Sequence, residues 1–142
     1  LHAKRDWGHA KDYVEGMWGI MQQKIADDFV LATGVAHSVS EFVEMAFGEV
    51  GITVRWEGTG PEEKGYDAGN DSILVEIDKT YFRPTEVDIL VGDASKAEKT
   101  FGWKPKYTLK QMVKEMVEAD LLLFQKDQYL KEGGHKVLNY YE

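Results

Sequence analysis

Apolar and polar positions along the chain alternate between two rhythms. Ala10, Val14, Met17, Trp18 and Met21 recur at helical spacing and predict a helix within residues 8–23 with one apolar face. The apolar run Phe29–Thr33, closed by Gly34, predicts a short strand buried on both faces. Ser38 stands three residues before Glu41, a capping box that opens a second helix. Val39, Phe42, Val43, Ala46, Phe47 and Val50 line one face of it, and Gly51 is placed to stop it. Ile52, Val54 and Trp56 then alternate with Thr53 and Arg55, the pattern of a half-buried strand. Residues 57–72 are polar and predict a flexible surface loop, and residues 73–77 predict another strand. Tyr81 to Val91 has no clean period and contains Pro84, so an ordered loop or very short strand is expected. Asp93 is placed to cap a short helix through Thr100, stopped by Gly102. Thr108 and Gln111 form a further capping box. It opens a long amphipathic helix through Leu109, Met112, Val113, Met116, Val117 and Leu121, expected to run past Phe124. Helices alternating with strands predict an α/β fold.

Composition narrows the function classes. The 142 residues suit one domain, 1–142, and the balance of 43% hydrophobic to 30% charged residues is that of a folded chain. Twenty-five acidic against 17 basic residues leave a net charge of −8, which argues against a nucleic-acid surface. The absence of Cys removes disulfides, thiolate nucleophiles and Cys-based zinc sites. No apolar run approaches the roughly 20 residues a membrane helix needs. His2, His9, His37 and His135 show no metal-ligand spacing, and no metal is expected. His9 reads as a partly buried residue at a helix start, and His37 as a loop residue before a cap. The opening LHAKRDW has no initiator Met and no apolar signal core, so it reads like the middle of a protein.

Two arginines carry the candidate chemistry. Lys4-Arg5-Asp6-Trp7 sets cations beside an aromatic just before a helix. Tyr81-Phe82-Arg83-Pro84-Thr85-Glu86 sets one cation between an aromatic pair and a stiff proline. A guanidinium fork held in a rigid setting suits bidentate phosphate binding. From spacing alone, a structural ion pair with Asp6, Asp88 or Glu86 is the stronger expectation for each. The lone Gly58-Thr59-Gly60 is a poor phosphate cradle, because Pro61, Glu62 and Glu63 follow and no helix pattern starts there.

The segments AKRDWGHAKDYVEGMW, DFVLATGVAHSVSEFVEMAF and YFRPTEVDILVGDASKAEKTFGWKPKYTLKQMVKEMVEADL closely resemble the C-terminal part of the GDP-mannose 4,6-dehydratase family. That family lies within the extended short-chain dehydrogenases/reductases. The resemblance runs from Ala3 to about Leu121. The loop at 57–72 matches poorly, His2 stands where an acidic or amide residue would be expected, and the end after Gln125 is only loosely similar.

The resemblance implies the C-terminal substrate-binding portion of such an enzyme, with the cofactor-binding Rossmann core largely absent. Residues 1–36 would pack against the sheet of that core. The family's reaction converts GDP-D-mannose to GDP-4-keto-6-deoxy-D-mannose, with NADP taking hydride from C4 of the sugar and returning it at C6. Arg5 and Arg83 would contact the diphosphate of GDP, and Glu86 a ribose hydroxyl. The family's glycine-rich cofactor turn, Tyr-x-x-x-Lys pair and catalytic Thr and Glu have no counterpart here. No catalytic residue and no bound NADP are therefore expected of this chain alone. Bare apolar surface implies self-association or pairing with a separate N-terminal Rossmann half, in a cytoplasmic setting. The alternatives are a non-catalytic GDP-sugar-binding or protein-interaction fragment, and part of another nucleotide-sugar epimerase or reductase.

Overall fold

His9 starts the first helix by accepting the amide of Lys11 on its ring Nδ1 at 3.1 Å, a role usually taken by Ser, Thr or Asp. The structure is a computed structural model and describes residues 1–83 and 85–137. Helix α1 spans Ala10–Met21, and its buried positions are Asp12 and Gly16. The predicted apolar face is the exposed one: Val14 is 64%, Met17 59%, Trp18 65% and Met21 82% exposed. Gly16 makes the inner face possible. A Cβ there would lie 2.5 Å from Leu31 Cδ1 and 2.8 Å from Trp103 Nε1, so only Gly lets α1 approach both.

Both predicted capping boxes are present. Ser38 and Glu41 open α2 (Val39–Glu49), and Thr108 and Gln111 open α4 (Leu109–Glu132). Gly102, left-handed at φ +75°, ends α3 (Ser95–Phe101). Asp93 accepts the amide of Ser95 at 2.8 Å just outside that helix. Helix α4 does run past Phe124.

Two small sheets complete the fold. In the first, strand β1 (Lys4–Arg5) lies between β2 (His37–Ser38), antiparallel, and β6 (Ile89–Leu90), parallel. In the second, β3 (Val54–Glu57), β4 (Lys64–Asp67) and β5 (Ile73–Glu76) form an antiparallel meander. The core gathers Ala97, Trp103, Met112 and Val113, with Ala32 against Gly92.

Two expectations are corrected. Residues 57–72 hold β4, the central strand of its sheet, where a loop was expected. Its composition hides it, since Lys64 and Asp67 are polar and Gly65 looks like a turn residue. Gly65 is in fact buried: a Cβ there would lie 2.9 Å from Trp56 Cζ3 and 3.1 Å from Val54 Cγ1, so its bare backbone makes room for β3 side chains. Residues 29–33, expected as a buried strand, form none. A strand needs a neighbour to take its ladder bonds. Among the described residues no strand pairs with it, although Gly92 packs against Val30 and Ala32, and the amides of Thr33 and Gly34 donate to the Asp6 carboxylate instead.

Candidate functional site

Asp6 sets the position of β1. Its Oδ1 accepts from the Thr33 amide (2.9 Å) and hydroxyl (2.5 Å), and its Oδ2 from the amides of Gly34 (2.9 Å) and Gly92 (3.2 Å). Burial pushes this carboxyl up, but the bonds from Thr33, Gly92 and Gly34 outweigh it and hold it below its ordinary 3.8. A depressed folded pKa contributes stability that is complete above the ordinary value and is lost as the pH falls through it. Acidification from pH 7 to pH 3 should therefore cost the native chain more than an Asp6→Asn variant. Urea midpoints at the two pH values check this, and an equal loss in both proteins would contradict it.

Arg5 leaves β1 toward the segment before β6. Its Nη1 donates to the carbonyls of Lys4 and Val87, both at 2.8 Å, and its Nη2 donates to Glu86 Oε1 at 2.6 Å. Three of its five N–H donors are thus engaged. The structural ion pair expected from spacing is therefore made by Arg5, with Glu86 as its partner across 81 positions of chain. Glu86 Oε1 also accepts the Val87 amide at 3.2 Å. Its Oε2 has no partner among the described residues.

Arg83 and Glu86 line a cleft of about 420 Å³, whose other walls come from Leu1–Ala3, Gly60, Glu63, Ile77 and Asp78, Tyr81–Phe82 and Asp88, so among the described residues Arg83 is its one lining Lys or Arg beside four carboxylates. Arg5 does not line this cleft; it fixes one of its walls by holding Glu86. Arg83 differs from Arg5 in making no ion pair among the described residues, so the structural pairing expected for it is not found there. The structure thus brings Arg83 and Glu86 to one surface and puts Arg5 behind it.

Sequence reasoning missed Glu63 and the anchoring role of Asp6. Nothing local marks Glu63, which sits in an acidic, glycine-rich stretch that reads as solvated loop. The signal available for Asp6 was its place beside Arg5, which suggested an ion pair rather than an acceptor for backbone amides. His9 is buried as expected, with Nε2 3.2 Å from Glu115 Oε2. His37 lies in β2, its Nδ1 3.3 Å from Glu41 Oε2.

Among the described residues, no cluster of three or more His, Asp or Glu could hold a metal ion. None of their helices is long and apolar enough to cross a membrane. Gly58 and Gly60 lead into a single 3-10 turn at Gly60–Glu62 and then β4, so this glycine pair opens no α-helix.

The fold has clear counterparts among solved structures. RMD from Pseudomonas aeruginosa, complexed with NADPH, aligns with a TM-score of 0.60 at 16% identity over 83% of this chain and 33% of that one. UDP-glucose 4-epimerase from Thermotoga maritima with UDP-glucose aligns with a TM-score of 0.63 at 20% identity, over 87% of this chain and 33% of that one. Likeness at such identities speaks for the fold, which is the C-terminal portion of an extended short-chain dehydrogenase/reductase. A family model described as GDP-mannose 4,6 dehydratase matches residues 1–116, and the chain belongs to that family. It is 52% identical over 121 residues to the GDP-mannose 4,6-dehydratase of Sinorhizobium fredii, covering 85% of this chain and 34% of the relative. The human GDP-mannose 4,6 dehydratase is 50% identical over 123 residues, 87% of this chain and 33% of its own length. That of Dictyostelium discoideum is 47% identical over 133 residues, 94% and 36%. The chain spans about a third of the length of these relatives.

Proposed function

We propose that this chain supplies the GDP-sugar-binding part of a GDP-mannose 4,6-dehydratase, acting on GDP-D-mannose to give GDP-4-keto-6-deoxy-D-mannose. The observation that carries the reading is the shared cleft wall of Arg83 and Glu86, with Glu86 held at 2.6 Å by Arg5. On this reading Arg83 grips the diphosphate with its guanidinium fork. Arg5 adds positive potential behind it through its two remaining donors. The second oxygen of Glu86 accepts a ribose hydroxyl, while the first stays on Arg5. Contacts to the part of the substrate that does not react supply the energy that positions the sugar. NADP, bound by the remainder of a family-length protein, supplies the hydride acceptor and donor. No residue of this chain is assigned to catalysis, no metal is called for, and a cytoplasmic location belongs to the same reading.

The test is thermal unfolding with GDP, GDP-mannose, UDP and NADP. A ligand at about 100-fold excess over its Kd stabilises by about 2.7 kcal/mol. GDP and GDP-mannose should raise the midpoint, whereas UDP and NADP should not. Arg83→Ala should abolish the GDP shift, since Arg83 is exposed and contributes no ion pair among the described residues whose loss would disturb folding. No shift with any ligand, or an undiminished GDP shift in Arg83→Ala, would count against the reading. Turnover of GDP-mannose by the purified chain would overturn its assignment of catalysis elsewhere.

A further inference from the structure

Glu63 is a carboxylate out of place. Its side chain is 7% exposed, yet it lines the cleft shared by Arg83 and Glu86. One oxygen, Oε2, lies 3.2 Å from Nε2 of His2, a side chain that is itself 79% exposed. The other, Oε1, has no hydrogen-bond partner among the described residues. No unpartnered side-chain oxygen or nitrogen among the described residues is fully buried, so this oxygen keeps access to solvent and is open to donors from the cleft. The backbone fixes its aim. Glu63 donates its own amide to the Gly60 carbonyl at 3.2 Å, closing a turn entered at Gly58, whose φ is +89°. A Cβ at Gly58 would lie 2.6 Å from the Glu62 carbonyl oxygen, so the turn tolerates little else there.

The carboxylate only accepts, so it favours an occupant that presents N–H or O–H donors, and no acceptor, opposite it. Tyr81 and Phe82 stand on the same cleft with exposed rings, a setting for a flat heterocycle. Among nucleobases, guanine presents two adjacent donors, N1–H and the N2 amine, which match the two oxygens of one carboxylate. Adenine sets an acceptor, N1, beside its amine. Uracil flanks its single N3–H with two carbonyls. We infer that Glu63 selects the base of the nucleotide, accepting the N1–H and N2–H donors of guanine, with His2 as the group that positions its carboxylate. This rests on the reading that the cleft holds a GDP-sugar and adds to it the residue that distinguishes GDP from other nucleoside diphosphates.

The experiment is calorimetric titration of the purified chain and of its Glu63→Gln, His2→Ala and Arg83→Ala variants with GDP, inosine diphosphate, ADP and UDP. A site built to accept hydrogen bonds rejects analogues that lack the donor, so inosine diphosphate, without the N2 amine, should bind the native chain about tenfold more weakly than GDP. ADP and UDP should bind about 100-fold more weakly, through the diphosphate alone. In Glu63→Gln, nearly identical in shape, one acceptor becomes a donor. GDP should lose about tenfold or more while ADP and UDP are unchanged, collapsing the preference. His2→Ala should keep the order of preference at lower affinity. Arg83→Ala should weaken all four ligands alike. If Glu63→Gln binds GDP with the native preference, Glu63 is not the selector, though the cleft reading survives. If the native chain binds GDP and inosine diphosphate equally well, the base is not read through N2 and the inference fails without recourse to any variant. If no diphosphate binds the native chain, the cleft reading fails and the inference with it.

Discussion

Replacing Asp12 with Ala is expected to cost the chain about 3 kcal/mol, a large share of the ~5–15 kcal/mol that holds a domain together. The reason lies in what Asp12 ties down. It is 2% exposed, and its Oδ2 accepts the amides of Lys106 and Tyr107, each at 3.1 Å. Its backbone carbonyl accepts the indole N–H of the buried Trp103 at 2.8 Å. One residue in the first turn of α1 therefore fixes the approach to α4, more than ninety positions later. Truncation leaves two amides without an acceptor, and each unmet buried partner costs about 1–3 kcal/mol. Urea unfolding followed by Trp fluorescence reads the loss directly. Asp12→Asn, which keeps one accepting oxygen, should recover part of it. An unchanged midpoint in Asp12→Ala would show that the Trp103 and helix contacts hold this junction without the carboxylate.

The second large effect concerns association. Val14, Met17, Trp18 and Met21 form the outward face of α1, and beyond the helix Ile25 and Val30 are also more than half exposed. Four large apolar side chains exposed on one helix face mark a contact site. The purified chain is expected to self-associate at micromolar concentration, seen by light scattering or sedimentation velocity. A buried Trp removes about 150–250 Å² from water, worth at most about 4–6 kcal/mol at ~25 cal/mol per Å². Trp18→Lys should therefore weaken association more than tenfold, and combined with Met21→Lys it should give a monomer. Both side chains point away from the core, so folding should be unaffected. A separately expressed cofactor-binding half of a relative, if it covers this face, should suppress self-association in proportion to its concentration. A monodisperse native monomer at micromolar concentration would remove the basis for either partner.

What could be seen in the sequence was whatever depends on neighbours three or four positions apart. The boxes Ser38–Glu41 and Thr108–Gln111 satisfy helix-start amides through local bonds, so pattern alone locates both helices. Gly102 marks its helix end for the same reason. Arg83 and Glu86 lie three positions apart, and the chain itself delivers them to one wall. Arg5 could be nominated but not placed, because its partner lies 81 positions away and is reached through the pairing of β1 with β6.

The sequence by itself determined the helices, the stops of two of them, the β3 and β5 strands, the scarcity of cations and the two arginines worth following. The tertiary structure alone decided which sides of those elements are covered. An apolar stripe records that a helix has something to bury, but burial also needs a partner. On α1 the covered side is the one where Gly16 admits Leu31 and Trp103, and where the Asp12 carboxylate meets backbone amides. In the same way β4 becomes a central strand because Gly65 leaves room for Trp56. Residues 29–33 stay outside any sheet, and the amides at their end, of Thr33 and the following Gly34, go to Asp6. Glu63 becomes a cleft residue through a tight turn that no periodicity announces. Except for the turn at Glu63, these outcomes rest on contacts between separate segments of the chain, and such contacts leave no mark in local spacing.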